Sequence, residues 1–211
     1  MAADWSTIAS LATAGGTLVL AVATFASVRS SNRAAKAGER ALLAGIRPVL
    51  VASRLEDPPE KVGFADEHWI RVDGGHGAAE ATDDAIYLAL ALRNVGNGLA
   101  VLDRWNLSPE VIRGPTDRPR AEGFRRLTRD LYVPAGGFGF WQGTFRDRDD
   151  PSFAAAQEAI RSRQPMTIDL LYGDHEGGQR MISRFALLPR EDGRWLASHS
   201  RHWNLDRADP R

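Results

Sequence analysis

Two hydrophobic regimes divide the chain, and the border between them is sharp. From Trp5 to Val28 there is no Asp, Glu, Lys, Arg, His, Pro or Asn. Ile8, Leu11, Leu18, Val19, Leu20, Val22, Phe25 and Val28 supply bulk, and Ala, Gly, Ser and Thr fill the gaps. A membrane-spanning helix needs about 20 mostly apolar residues, so this stretch predicts one span. Trp5 stands where an interfacial aromatic belongs. The rival readings are a buried helix of a soluble domain and a cleaved signal peptide. A signal peptide begins with a basic segment, whereas this N-terminus carries Asp4 and no Lys or Arg.

Beyond Val28 the helical pattern continues with different chemistry. Residues 29–46 lack Pro and are rich in Ala and Leu, which favour helix. Pro48 and Gly45 mark the end. At 100° per residue Arg29, Arg33, Lys36 and Arg40 form one stripe, opposite Ala34, Ala41, Leu42 and Ile46. Basic residues flank spans on the cytoplasmic side. Together with Arg47, the stripe predicts an external N-terminus and a cytoplasmic C-terminal part. The stripe also suits anionic lipid headgroups, at about 1 kcal/mol per basic residue. A second seam steps by 4 and 3 through Ala9, Thr13, Gly16, Leu20, Ala23, Ser27, Ser30, Ala34, Ala37, Ala41 and Ala44, all small except Leu20. Small seams let membrane helices approach closely, which suggests a homodimer or higher homo-oligomer. The plain alternative is that the bases only set topology and the alanines only favour helix.

After Pro48 the period changes to two. Ile86, Leu88, Leu90 and Leu92 alternate with Tyr87, Ala89 and Ala91, giving a central strand apolar on both faces. Further strands are predicted at 48–54, 68–72, 99–107, 126–133, 137–145, 166–172, 180–188 and 194–203. Asp73 to Asp84 reads as a polar, Gly-rich loop, and Arg113 to Gly123 as a charged one. Asn94, Gly96 and Gly98 form a turn with a structural role: glycines permit the bend and the Asn side chain bonds local backbone. Asp150-Pro151 opens a short helix to about Arg163, with Phe153, Ala156 and Ile160 inward. The expected organisation is a tail and span at 1–28, a basic juxtamembrane helix at 29–47 and a soluble domain at 48–211. The domain is expected to be mainly β, an immunoglobulin-like Greek-key sandwich of about eight strands with one inserted helix.

Charge changes little. The 27 basic and 27 acidic side chains cancel, so nothing draws the chain toward nucleic acid. The absence of cysteine fits a reducing compartment and removes any thiol nucleophile.

Candidate chemistry is sparse. His199 and His202, with Asp174, His175 and Glu176 of the 174–178 hairpin, suggest a metal or small-ligand site. Residues three apart on a regular strand face opposite sides, however, so the two histidines should diverge. Asp147, Asp149 and Asp150 lack the Gly and distal Glu of a calcium loop. No Gly-x-Ser-x-Gly elbow, phosphate loop or dinucleotide fingerprint is present. Trp69, Trp105, Trp141, Trp195 and Trp203 are expected in the core or its rim. This reading names no enzyme activity, cofactor or metal. It favours a non-enzymatic interaction or scaffold module with an unidentified protein partner, and keeps a ligand- or metal-binding sensor or enzyme as the alternative.

The order of a basic Ala-rich helix ending in Arg47-Pro48, a strand, and Leu92-Arg-Asn94-Val-Gly96-Asn-Gly98-Leu-Ala100 resembles a group of bacterial membrane-anchored proteins. Asp169 to Gly178 and His202-Trp-Asn204 resemble actinobacterial members of that group. The resemblance implies a single-pass protein of the bacterial plasma membrane with a cytoplasmic β domain, and it implies no catalytic residue.

Overall fold

In the computed structural model, residues 5–112 and 118–209 are described, and the chain divides into two compact units after Gly45. The N-terminal flank on which orientation rests lies outside the described residues, as do residues 113–117 of the charged loop.

The first unit is one helix, α1 (Trp5–Gly45). Its 41 residues span about 62 Å at ~1.5 Å per residue. It is long and apolar enough to cross a membrane. Leu11 is 69% and Phe25 68% exposed, so their apolar surface is not spent on a protein core. Thr13 and Thr17 donate their hydroxyls to the carbonyls of Ala9 and Thr13, both at 2.9 Å. Such internal satisfaction is what polar groups need where water is absent.

The second unit is mainly β and sandwich-like. It comprises β1 (Leu50–Ala52), β2 (Glu60–Gly63), β3 (Trp69–Val72), β4 (His76–Ala81), β5 (Ile86–Asn94), β6 (Ala100–Ser108), β7 (Arg125–Val133), β8 (Phe138–Phe145), α2 (Pro151–Arg161), β9 (Met166–Gly173), β10 (Arg180–Pro189) and β11 (Trp195–Asn204). One curled antiparallel sheet runs β8, β5, β4, β11, β10, β9, β6, β7, and β1 shares the β5 edge beyond the end of β4. β2 and β3 form a separate ribbon.

The alternation within β5 explains its central place. Leu88, Leu90 and Leu92 join Trp105, Trp141, Ile168, Leu170 and Phe185 in the main core. Trp105 meets Trp141 and Phe145 edge-on, at 5.2 and 5.1 Å between ring centroids, the geometry that ring quadrupoles favour. Tyr87, Ala89 and Ala91 on the opposite face are covered by Val62, Phe64, Ile70 and Val72 of the ribbon. A third cluster joins Leu171 of β9, Ile182 of β10 and Trp203 of β11 with Phe124. The Asp150 side chain accepts from the Ser152 amide and caps α2, whose Phe153, Ala156, Ala159 and Ile160 are buried. Arg163, with φ 54°, ends that helix in the left-handed conformation.

Eleven strands stand where about eight were expected. The Asp73–Asp84 stretch is not a loop: it contains β4, which pairs with both β5 and β11. Gly77 there serves packing, since a Cβ would fall 2.4 Å from a Leu187 methyl and 2.8 Å from the Ala89 carbonyl. β2 also escapes the sequence pattern, because Glu60-Lys-Val-Gly63 is half polar.

Candidate functional site

A network of hydrogen bonds surrounds the point where the chain enters the β unit. Asn94 ends β5 fully buried. Its Oδ1 accepts from the amides of Val49 and Gly96, each at 3.0 Å. Its Nδ2 donates to the carbonyls of Gly98 at 2.7 Å and Val133 at 3.1 Å. One side chain thereby ties the entering strand, its own turn and the end of β7. The glycines of the turn allow the approach. A Cβ on Gly96 would lie 2.2 Å from the Arg47 carbonyl, and one on Gly98 1.7 Å from the Ile46 carbonyl.

Arg47 belongs to this construction. Its guanidinium pairs with Asp206 through the two terminal nitrogens, Nη2 at 2.5 Å and Nη1 at 3.2 Å, and Nη1 donates to Asn204 Oδ1 at 3.0 Å. The Arg47 side chain is only 10% exposed. Arg29, Arg33, Lys36 and Arg40, by contrast, are exposed on α1. Sequence alone groups all five bases as a lipid and topology set; in the structure Arg47 also has a carboxylate partner. Burial opposes ionisation of Asp206, but the Arg47 hydrogen bond and charge outweigh it and hold the carboxyl below its usual range.

A buried relay lies behind the junction. The Leu50 amide donates to Tyr172 Oη at 3.1 Å, Tyr172 Oη and Ser183 Oγ are 2.8 Å apart, and Ser183 Oγ and His202 Nδ1 are 2.6 Å apart. Each hydroxyl accepts one bond and donates one if the protons run from Tyr172 to Ser183 to His202. Burial pushes the Tyr172 phenol up to about 12. Ser183 is fully buried.

His199 and His202 do converge, against the expectation from a regular strand. Their ring centroids lie 4.1 Å apart. The cause is a register shift between β10 and β11: Arg184 pairs with Arg201, while Phe185 pairs with His199. Ser200 is the extra residue of a β-bulge, which returns the two histidines to one face. The hairpin does not complete a site with them. Asp174 is 3% exposed and its Oδ1 accepts from the Gly178 amide, so it builds its own turn rather than lying on a solvated tip. His175 and Glu176 are exposed, 3.9 Å apart. Among the described residues, no group of three or more potential metal ligands converges.

The outer face of the sheet holds one feature that the sequence did not disclose. Asp169 and Arg184 oppose each other on β9 and β10 and form a two-pronged ion pair at 2.7 and 2.8 Å. The Arg184 guanidinium also lies 4.9 Å from the Trp203 ring. Both charges are buried, so the pair shields each partner from the cost of an isolated buried ion. The small seam residues Ala9, Gly16, Ala23, Ser27 and Ser30 are all exposed along α1.

Compared with known proteins, the chain matches no family model and no curated protein.

Proposed function

We propose that this chain is a single-pass membrane protein of the bacterial group it resembles, with a cytoplasmic β domain that acts as a non-enzymatic interaction or scaffold module. The observation that carries the reading is α1: a continuous helix with an apolar, exposed N-terminal part that has no use in water. The Arg29–Arg40 stripe supports a cytoplasmic C-terminal side and contact with anionic lipid. The small seam supports pairing of copies through the helix.

Fractionation and topology test the anchor. The full chain should stay with membranes after alkaline wash, and a reporter fused after Arg211 should report the cytoplasm. Release into the soluble fraction would sink the anchoring claim, and an external reporter would reverse the orientation. Cross-linking of the parent against Gly16→Leu and Ala23→Leu tests the seam: the bulkier residues should weaken self-association, and equal cross-linking would remove it. Co-purification from the native membrane tests the module, and repeated failure to retain any partner would count against it.

A further inference from the structure

Of the described tryptophans in the β unit, Trp69 is the exposed one, at 58%, whereas Trp105, Trp141, Trp195 and Trp203 are buried. Its ring is nonetheless held in place. Trp69 stands opposite Gly63 in the β2–β3 ribbon, and a Cβ on Gly63 would lie 2.7 Å from the indole. The missing side chain makes room for the ring to lie across the ribbon. The Lys61 ammonium covers it, 4.7 Å from the ring centroid. An aromatic fixed in this way loses little entropy when a ligand packs on it.

Trp69 borders a cleft of about 530 Å³, shared with Lys61, Phe64, Thr128, Arg129 and Gln142. No acidic side chain lines it. Among the described residues, Lys61 and Arg129 form no ion pair, and each cation lies near a ring, Lys61 4.7 Å from Trp69 and Arg129 5.5 Å from Phe140. Gln142 is 6% exposed, and its Oε1 has no hydrogen-bond partner. A buried, unsatisfied amide oxygen is costly, and it calls for a donor.

The backbone beside the cleft is also unfinished. β8 is laddered to β5 along one edge only. β7 pairs with β6 at 131–133 and again at 125–126, and residues 127–130 between them have no ladder partner. The turn between β7 and β8 is closed by the Gly137 amide donating to the Pro134 carbonyl, and no backbone bond joins the two strands themselves among the described residues. An open strand edge is a template for another extended chain.

We infer that the cleft beside Trp69 binds an extended peptide that carries an apolar side chain flanked by carboxylates and lies along the free edge of β8. The apolar side chain packs on Trp69 and Phe64. The carboxylates meet Lys61 and Arg129, and a peptide amide donates to Gln142 Oε1. The open edge favours a peptide over a stacked nucleotide, which has no use for a row of unpaired backbone groups. This inference rests on the interaction-module reading and names the partner chemistry for it.

The test uses the full chain in neutral phosphatidylcholine nanodiscs. The probes are fluorescent ten-residue peptides alternating Asp or Glu with Leu, Val or Phe, matched peptides with Lys in place of the acids, and ATP. The acidic peptides should bind, weaken with added salt, and slow hydrogen exchange at amides 138–145. Trp69→Ala should lower affinity at least tenfold. Lys61→Glu with Arg129→Glu should abolish acidic binding and create preference for the Lys peptides. Lys61→Met serves as a milder variant if the double change disturbs folding, and should weaken acidic binding severalfold. No acidic binding, ATP binding in its place, or affinity untouched by Trp69→Ala would overturn the inference. A native partner retained equally by the parent and Trp69→Ala proteins would remove this site while leaving the interaction-module reading intact.

Discussion

Replacing Asn94 by Ala isolates the contribution of the chain-entry construction. The side chain is fully buried and makes four hydrogen bonds, all to backbone groups. Each such bond contributes about 1 kcal/mol net, and a buried group left bare costs about 1–3 kcal/mol. The bonds to the Gly98 and Val133 carbonyls are buried, whereas those from the Val49 and Gly96 amides are partly buried. Water regains some of the latter, so the expected loss is about 3 kcal/mol. For a domain of this size that lowers Tm by roughly 6–12 °C. Urea unfolding of a fragment beginning at Ile46, followed by circular dichroism, reads the value directly. Asn94→Asp adds a sign test. It keeps an acceptor for Val49 and Gly96 but turns an oxygen toward two carbonyls, so it should be worse than Asn94→Ala at neutral pH. A loss below about 1 kcal/mol for Ala, or an Asp protein as stable as the parent, would refute the assigned roles.

Gly98→Ala should destabilise the same fragment by about 2 kcal/mol or more through overpacking against Ile46, whereas Gly123→Ala, which meets open space, should stay within about 0.5 kcal/mol in the same urea titration. Tyr172, pushed up to about 12 by burial, favours the folded state fully below pH ~10, where the unfolded phenol is also protonated, and this contribution should fall by about 3 kcal/mol as pH rises from 10 to 12. Tyr87 is also shifted upward, chiefly by its hydrogen bond with Asp66, so the Tyr172 share is read as the flattening of the alkaline stability profile in Tyr172→Phe, and an unchanged profile would contradict it. Arg184→Met should cost about 3–5 kcal/mol by stranding Asp169, and Asp169→Leu combined with Arg184→Met should recover most of that loss in thermal unfolding.

What could be read from the sequence followed from period and punctuation. Strand β5 shows its two buried faces as an unbroken alternation of Leu and Ala, and Asp150-Pro151 signals α2 through cap chemistry. The missed elements are those whose residues were chosen for neighbours rather than for strand propensity. His76-Gly-Ala-Ala-Glu-Ala81 looks like a loop because its Gly77 is small enough to admit Leu187 and Leu90. Glu60-Lys-Val-Gly63 looks polar because Gly63 leaves space for Trp69. The convergence of His199 and His202 depends on one unpaired residue, Ser200, and no local signal marks that bulge. Long-range ion pairs were equally hidden. Arg47 resembles the last base of a juxtamembrane stripe until Asp206 is brought beside it by the fold.

The pairing of Arg47 with Asp206 bears on how the chain enters the domain. Strand β1 is short and pairs with β5 at only three positions, Leu50 to Ala52. Such a strand alone would peel readily from the sheet edge. Instead, the entering chain is bonded to three separate places within a few residues. Arg47 holds the end of β11 through Asn204 and Asp206 beyond it, Asn94 holds Val49 to β5 and β7, and Leu50 is joined through Tyr172 and Ser183 to β9 and β10. Load arriving at residue 46 is therefore shared among five strands. Under the proposed anchoring, the bases Arg29 to Arg40 serve the membrane surface and Arg47 serves the joint. Neutralising the first set should alter lipid preference without changing domain stability. Arg47→Ala should do the reverse, lowering stability while leaving lipid preference unchanged.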